Sequence, residues 1–300
     1  MSIDNSNHIK QQLIDVAKQN KLGLQRTIGL YVREGILDRL SKSDAADKFI
    51  LKGASVFQVL LGQPHRPTAD IDLLGFGTNE PKKLKAVFTE ICRIPTSDGL
   101  NFTEISTDLL QKGKKYQGVR LKIRGNLDNI SFTTQVDVGY GHIITPEALN
   151  AEFPTLLDRV PPRLKIYPKE TIVAEKLEAV VVLGLRNSRL KDYYDLLYLS
   201  RNFSFEGEVL AEAINNTFTR RETSFPKSTP VGMTEKYINY DPVRRKDWKK
   251  LFQQGTMDSR PKLSEAIASI REFLLPPLQA AATGSEFNQK WTKDGGWQKE

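Results

Sequence analysis

The sequence is poor in the residues that build disulfides and zinc sites. One cysteine and three histidines occur among 300 residues, so no internal disulfide can form and no Cys/His zinc pattern exists. No run of 18 apolar residues is present, which predicts that no helix spans a membrane and that no membrane partner is needed. The polar residues 1–5 lack the apolar stretch of a signal peptide. We therefore expect a protein of the reducing cytoplasm.

The charge balance is basic, with 44 Lys and Arg against 36 Asp and Glu and a net charge of +8. Such a balance is compatible with a polyanionic partner such as RNA. Two basic stretches stand out, and the second is interleaved with Tyr237, Tyr240 and Trp248, whose rings could stack on unpaired nucleotides. A solvated face is the equally open alternative. The bases are Lys112, Lys114, Lys115, Arg120, Lys122 and Arg124 in the first stretch, and Lys236, Arg244, Arg245, Lys246, Lys249 and Lys250 in the second.

Two aspartates separated by one residue carry the clearest chemical signal. Asp70 and Asp72 flank Ile71 in an apolar run that ends in glycines, which predicts a strand. Alternate residues of a strand point to the same side, so the two carboxylates repel each other unless a cation lies between them. Oxygen ligands suit Mg²⁺ or Mn²⁺, and Mg²⁺ held by two carboxylates completes its shell with water and substrate phosphates. The pair indicates chemistry on a nucleoside triphosphate, and a solvated turn is the alternative.

A third carboxylate, Asp137, lies between two valines near the end of another predicted strand. If that strand neighbours the first one, Asp137 could join the same cluster. Three carboxylates around two metal ions stabilise an in-line phosphoryl displacement. The alternative is a turn residue before Gly139.

The tetrapeptide Lys52-Gly53-Ala54-Ser55 precedes a short apolar helix that is predicted to end at Gly62. A turn of this composition at a helix N-terminus exposes backbone N–H groups to an anion, and Lys52 adds a positive charge beside it. The alternative is an ordinary helix N-terminus with a solvated lysine.

A later predicted helix, residues 168–184, carries Lys176 on its apolar stripe. A lysine there either extends its charge to solvent or meets buried negative charge. Asp192 follows two bases and could orient Lys176. Asp195 is expected to cap or pair at a helix surface.

Taken in order, these motifs resemble the AbiEii family of nucleotidyltransferase-like toxins, which includes the mycobacterial MenT toxins. The similarity covers most of the chain, from about residue 25 to about residue 278. The ordered combination is specific, although each motif alone is not. The stretches that carry it are Lys52–Ser55, Arg66–Leu74, Val136–Gly141, Lys169–Ala179 and Asn187–Leu196.

The resemblance implies an α+β fold that starts with a DNA polymerase β-like nucleotidyltransferase domain built on a mixed sheet. With the element pattern, we expect this domain, including N-terminal helices, over residues 1–165. A mostly helical substrate-binding domain is expected over 166–280, and a flexible tail over 281–300. Predicted strands lie near residues 70–75, 102–107, 118–124 and 131–138, and predicted helices near 8–20, 25–41, 55–61, 81–92, 169–184, 191–200, 206–217 and 262–274.

The resemblance also implies a function. The protein would be a toxin of a toxin–antitoxin or phage-defence system, with its antitoxin encoded nearby. It would transfer a nucleotide from an NTP to an acceptor, foremost the 3′ end of tRNA, with Mg²⁺ or Mn²⁺ as cofactor. By position, Asp70 and Asp72 would bind the metal, Lys176 would contact the triphosphate, and Asp192 would be the acidic partner in the late motif.

Two further positions take a role from the resemblance. Lys52 matches an active-site lysine. Thr68 matches a hydroxyl that an antitoxin kinase phosphorylates in some relatives, and as residue i−2 from Asp70 its hydroxyl would point to the metal side in a strand. Ala54 departs from the family pattern, since many nucleotidyltransferases have Gly or Ser there, and this departure bears on the anion-loop role of Gly53 and Ser55.

Two other function classes stay open. A glycosyltransferase also uses the D-x-D pattern with Mn²⁺, but it normally has a nucleotide-binding α/β half before the motif, and only 69 residues precede Asp70. A non-catalytic protein that binds an antitoxin or a nucleic acid would not need either carboxylate.

Overall fold

The computed structural model describes residues 3–62, 65–110, 118–255, 257, 259–293 and 296–299. The chain divides into two units, of which unit 1 comprises Met1–Gly141 and Leu149–Ile166 and unit 2 comprises His142–Ala148 and Tyr167–Glu300. The last crossing, after Ile166, lies next to the boundary expected after residue 165. The early excursion of His142–Ala148 into unit 2 is a feature that the sequence did not predict.

Unit 1 is built on a mixed sheet of seven strands. In chain order they are β1 (Phe49–Lys52), β2 (Asp70–Gly75), β3 (Leu100–Leu110), β4 (Gly118–Leu127), β5 (Ile130–Tyr140), β6 (Leu149–Glu152) and β7 (Arg163–Ile166). Their order across the sheet is β3-β4-β5-β2-β1-β7-β6. β2 runs parallel to β5 and β1 runs parallel to β7, whereas the remaining neighbours are antiparallel. The two strands that carry the predicted aspartates are therefore neighbours.

The helices of unit 1 are α1 (Ile3–Gln19), α2 (Leu24–Ser41), α3 (Ala54–Leu61) and α4 (Pro81–Arg93). Of these, α1, α2 and α4 contact β4, β5 and β3 respectively. The apolar residues that alternate along β4 and β5, such as Leu121 and Val136, are fully buried. The residues between them, such as Lys122 and Asp137, are exposed or half-buried. One face of these strands thus belongs to the core, and the other carries polar side chains.

Unit 2 is mostly helical. Its helices are α5 (Lys169–Leu183), α6 (Leu190–Asn202), α7 (Gly207–Arg220), α8 (Glu235–Tyr240), α9 (Val243–Gln254) and α10 (Leu263–Thr283), and its small sheet consists of β8 (Phe205–Glu206), β9 (Gln289–Thr292) and β10 (Gly296–Lys299). The excursion residue Thr145 is tied to this unit, because its backbone exchanges hydrogen bonds with the Thr171 hydroxyl and its own hydroxyl accepts one from Asn216.

The flexible tail that we predicted over residues 281–300 is wrong for the part of it that the structure describes. α10 continues to Thr283, and β9 and β10 pair as an antiparallel hairpin. Trp291 is buried and donates its indole N–H to the Ser200 carbonyl at 2.7 Å, and Trp297 donates to the Phe273 carbonyl at 2.9 Å. Two tryptophans with satisfied indoles anchor this segment.

The predicted α+β class with a mixed sheet is confirmed. Each predicted helix and strand is present, most of them with boundaries shifted by one or more residues. The predicted elements omit β1 and β6 to β10, which have two to four residues each, and the helices α8 and α9. Within the described ranges, no helix combines the length and hydropathy that a membrane crossing requires.

Candidate active site

A row of charged residues crosses five neighbouring strands of unit 1. Strand register places them side by side in the order Asp108, Arg120, Asp137, Asp72 and Lys52, on β3, β4, β5, β2 and β1. Directly paired residues of neighbouring strands lie on the same face. Asp108 is exposed, and the other four residues are half-buried. Asp72 and Asp137 are the two like charges that lie next to each other in this row.

Asp70 lies on the same face, two residues before Asp72 on β2. It pairs with Gln135 across the sheet, one row away from Asp72. Ile71, between the two aspartates, is fully buried, whereas both aspartates are half-buried. The predicted projection of Asp70 and Asp72 to one side is therefore what the strand geometry gives.

The backbone at Gly53 is fitted to Asp72. Gly53 has φ +67° and ψ −153°, a region that only glycine adopts readily. A Cβ at this position would lie 2.1 Å from Oδ2 of Asp72. Close approach of the Asp72 carboxylate to the chain therefore requires glycine at position 53.

The anion-binding turn predicted at Lys52–Ser55 begins a helix in the structure. Gly53 is the N-cap of α3, and Ala54 and Ser55 occupy its first turn, where backbone N–H groups lack intrahelical acceptors. The Ser55 side chain is buried, and Lys52 ends β1 opposite Asp72. The contact of these residues with a nucleotide stays a prediction.

Asp137 is engaged by a guanidinium. Arg120 donates from Nε to Oδ1 of Asp137 at 2.8 Å and from Nη2 to Oδ2 at 2.7 Å. These hydrogen bonds raise the pKa of Arg120, and the charges of Asp70 and Asp72 act in the same direction. The metal-ligand role that we predicted for Asp137 stays a prediction.

The donor set fits a magnesium-type ion. Asp70 and Asp72 supply two carboxylates on one face, and Mg²⁺ is commonly bound through one or two carboxylates with the rest of its shell from water and phosphates. A purely protein-made cage is not offered: in the described part of the chain, no group of three or more His, Cys, Asp or Glu could hold a metal ion.

Thr68 lies outside the strand, since β2 begins at Asp70. The alternation of side chains along a strand therefore does not set the direction of its hydroxyl, and that prediction is wrong. Local hydrogen bonds hold the residue instead. The hydroxyl donates to the backbone carbonyl of Asp70 at 3.4 Å, and Arg33 of α2 donates to the Thr68 carbonyl. Burial lowers the pKa of Arg33 to about 10 despite the opposing effect of Asp70. Thr68 is thus held at the entry to the aspartate strand.

In unit 2, Lys176 is held between two buried aspartates. Its Nζ lies 2.8 Å from Oδ1 of Asp192 and 2.8 Å from Oδ2 of Asp195. The Lys176 side chain is 13% exposed, and those of the two aspartates are 4% and 0% exposed. The predicted pairing of Lys176 with Asp192 is present, whereas the surface position expected for Asp195 is wrong. The proposed contact of Lys176 with a triphosphate stays a prediction.

A second polar network in unit 2 escaped the sequence reading. His142 Nδ1 lies 2.5 Å from Oε1 of Glu175, which also accepts from the Tyr167 hydroxyl at 3.2 Å. Arg221 lies 3.2 Å from Oε2 of Glu175 and 2.6 Å from Oε2 of Glu178. Glu175 and Glu178 share α5, but His142, Tyr167 and Arg221 lie in other segments, so local spacing does not predict the network.

The two basic stretches have different outcomes. Lys112, Lys114 and Lys115 lie outside the described residues, whereas Arg120, Lys122 and Arg124 share the polar face of β4. In the second stretch, Tyr237, Arg244 and Trp248 are buried, so the stacking role proposed for those two rings is wrong. Tyr240 remains exposed, and its ring centroid lies 5.2 Å from Cζ of Arg244.

Comparison with known proteins gives one family and a fold likeness. A family model described as nucleotidyl transferase AbiEii toxin, type IV TA system, matches residues 35–281. The crystal structure of JHP933 from Helicobacter pylori is 16% identical with a TM-score of 0.50, covering 88% of this chain and 94% of that chain. A second H. pylori structure, of a candidate nucleotidyltransferase, is 16% identical with a TM-score of 0.49, covering 88% and 97%. At such identity the first likeness supports the fold alone. No curated protein matches the sequence significantly.

We predict that Gly53→Ala disrupts the site more than Gly62→Ala does. Both glycines have positive φ, +67° and +68°, but an added Cβ at Gly62 meets nothing within 4 Å. Gly62→Ala should cost about 1 kcal/mol of backbone strain. Gly53→Ala should cost a further ~1–3 kcal/mol through overlap with Asp72, and weaken Mn²⁺ binding. Urea unfolding and Mn²⁺ titration measure both effects, and equal losses in the two variants would contradict the fitted contact.

We predict that Lys176→Met lowers the free energy of unfolding by about 3–5 kcal/mol, because it removes the ammonium that pairs with the buried carboxylates of Asp192 and Asp195. Asp192 keeps its ion pair with Arg189. Lys191→Met, an exposed lysine on α6, is the matched control and should stay within about 0.5 kcal/mol of wild type. Urea unfolding measures the difference. Equal stability of the two variants would show that Lys176 does not hold the aspartate pair.

Proposed function

Because the chain belongs to the AbiEii family of type IV nucleotidyltransferase toxins, we propose that it transfers a nucleotide from a nucleoside triphosphate to an acceptor hydroxyl. The observation that carries the proposal is the placement of Asp70 and Asp72 on one face of β2, beside the N-terminus of α3. In the reaction, the acceptor oxygen bonds to the α-phosphorus, the bond from that phosphorus to the β-phosphate bridge breaks, and pyrophosphate leaves.

The proposal assigns the following roles to predicted site residues. Asp70 and Asp72 hold Mg²⁺ or Mn²⁺, which when bound neutralises phosphate charge and stabilises the attacking and leaving oxygens. The first-turn N–H groups at Ala54 and Ser55 receive phosphate oxygens, and Lys52 adds a cation there. Lys176, oriented by Asp192, contacts the triphosphate according to the family resemblance.

We further propose that the acceptor is the 3′ end of tRNA and that the protein acts in the cytoplasm against its own host cell. The net charge of +8 supports a polyanionic acceptor. Membership in a type IV toxin–antitoxin family supports a cognate antitoxin. A nucleotidyltransferase family also favours transfer of a nucleotide over transfer of a sugar.

We predict that Asp70→Ala and Asp72→Ala each abolish transfer and growth inhibition while the fold survives. Loss of a metal ligand removes the ion and with it the stabilisation of the reacting oxygens. Incubation with each labelled triphosphate, Mg²⁺ and total cellular RNA shows which acceptor becomes labelled. Asp108→Ala, an exposed aspartate of the same row on β3, is the control and should remain active.

Two results would overturn this proposal. Full growth inhibition by a folded Asp70→Ala/Asp72→Ala variant would favour a non-catalytic binding protein. Transfer of label from a nucleotide sugar, with none from any triphosphate, would favour a glycosyltransferase.

We also propose that Thr68 is a point of control. Its hydroxyl adjoins the backbone of Asp70, and a phosphate on it would bring a charge of about −2 beside the carboxylate pair. That group would compete with the substrate triphosphate for the same cation. The family resemblance motivates this role, because an antitoxin kinase phosphorylates the matching hydroxyl in some relatives.

We predict that Thr68→Glu is inactive and that Thr68→Ser stays active. Thr133→Glu, which adds the same charge at an exposed position of β5, should retain activity. Mass spectrometry of the toxin coexpressed with its antitoxin should find a phosphate on Thr68. A neutralised toxin without phosphate anywhere in residues 66–72 would exclude this mechanism.

A further inference from the structure

Arg120 and Asp137 form a two-pronged ion pair at the edge of the aspartate pair. Both carboxylate oxygens of Asp137 are taken, by Nε at 2.8 Å and by Nη2 at 2.7 Å. Parallel bonds of this type are the strong and directional form of a carboxylate–guanidinium contact. The Asp137 side chain is 17% exposed and that of Arg120 is 37% exposed, so solvent screens the pair only in part.

β4 carries a second ion pair, which differs from the first in its exposure to solvent and in its distance from the aspartate pair. Arg124 lies on the same face of β4, four residues away, and contacts Glu104 through one bond of 2.8 Å. Both of those side chains are more than half exposed. A pair so exposed contributes little, whereas the pair at Arg120 adjoins Asp72 in the row.

Asp72 and Asp137 are neighbouring carboxylates whose negative charges repel each other. They are register partners on parallel strands, which lie about 4.8 Å apart. Two carboxylates this close need a cation, and there are two possible sources, a divalent ion between them or a basic side chain. The guanidinium supplies the charge from the β4 side, and it cannot be deprotonated at any physiological pH.

In place of the metal-ligand role that the sequence predicts for Asp137, we propose that Arg120 is a built-in cation that keeps Asp137 out of the metal's ligand set. The protein then offers Asp70 and Asp72 alone to a divalent ion and holds one ion, not two. Arg120 acts here as a positioning residue, because it works through Asp137. The inference rests on the proposed function for the metal site itself.

The removal of Arg120 should therefore create a stronger metal site. In Arg120→Gln, both oxygens of Asp137 become available beside Asp72, and one positive charge near the ion is lost. From Coulomb's law at a partly screened site, we expect roughly tenfold tighter Mn²⁺ binding or the appearance of a second ion. Asp137→Asn should do the opposite and weaken binding, because Arg120 then stays without its counter-charge.

The experiment is a Mn²⁺ titration followed by electron paramagnetic resonance, which reports the number and affinity of bound ions without any turnover. It is done without nucleotide, so that ions carried by a triphosphate are not counted. The variants are Arg120→Gln, Asp137→Asn and the double variant, with Arg124→Gln as the control that removes the same charge from the same strand. Thermal unfolding verifies that each variant is folded.

We expect one ion in wild type, Arg124→Gln and the double variant, and the tighter or second site in Arg120→Gln alone. Two ions in wild type that fall to one in Asp137→Asn would overturn the inference, as would equal binding by Arg120→Gln and Arg124→Gln. Failure of the proposed function is read separately. Mn²⁺ binding that survives loss of Asp70 and Asp72 would refute the proposed metal site, whatever Arg120 does.

Discussion

Repulsion between neighbouring carboxylates is the constraint around which the polar face of unit 1 is arranged. Asp70, Asp72 and Asp137 lie on two adjacent strands and face the same side. Three negative charges at such spacing are tolerable only with compensating cations. Arg120 supplies one of them through Asp137, and Lys52 flanks Asp72 on the other side of the row. Gly53 has no Cβ that would overlap with the Asp72 carboxylate. Stable folding of this face and its proposed catalytic role therefore both require positive charge beside Asp72.

The sequence contains the parts of this face that depend on local spacing. An i, i+2 pair in an apolar run predicts two carboxylates on one side of a strand, and that is how Asp70 and Asp72 lie. The sequence does not contain strand order. β4 and β5 form a hairpin around Asp128 and Asn129, so the alignment of Arg120 with Asp137 is set by a local turn that the sequence prediction did not use. That β5 is the parallel neighbour of β2 depends instead on pairings such as that of Asp72 with Asp137, which lie far apart in the chain. Such pairings follow from the packing of the whole sheet and not from any single segment.

In unit 2, the helical spacing of residues on α9 and α6 indicates buried faces that the sequence-based predictions did not include. Arg244, Trp248 and Phe252 recur every four residues, which is the period of a buried helical stripe, and all three are buried. The bases between them point outward. Asp192 and Asp195 are three residues apart and so share a helix face, which is why both reach Lys176. By contrast, the contact of Trp297 with the Phe273 carbonyl joins segments 24 residues apart, and composition alone makes such a segment look like a tail.

The excursion of His142–Ala148 has a consequence for how this protein could evolve. The chain passes between the units three times, after Gly141, after Ala148 and after Ile166. β6 and β7, which complete the sheet next to β1, are encoded after a segment whose Thr145 is bonded to Thr171 and Asn216. Recombination at one point in the gene would therefore produce a chain in which the sheet lacks β6 and β7, or one in which Thr145 loses its hydrogen-bond partners in unit 2. The order of the units along the chain thus disfavours the exchange of either unit by recombination at a single point.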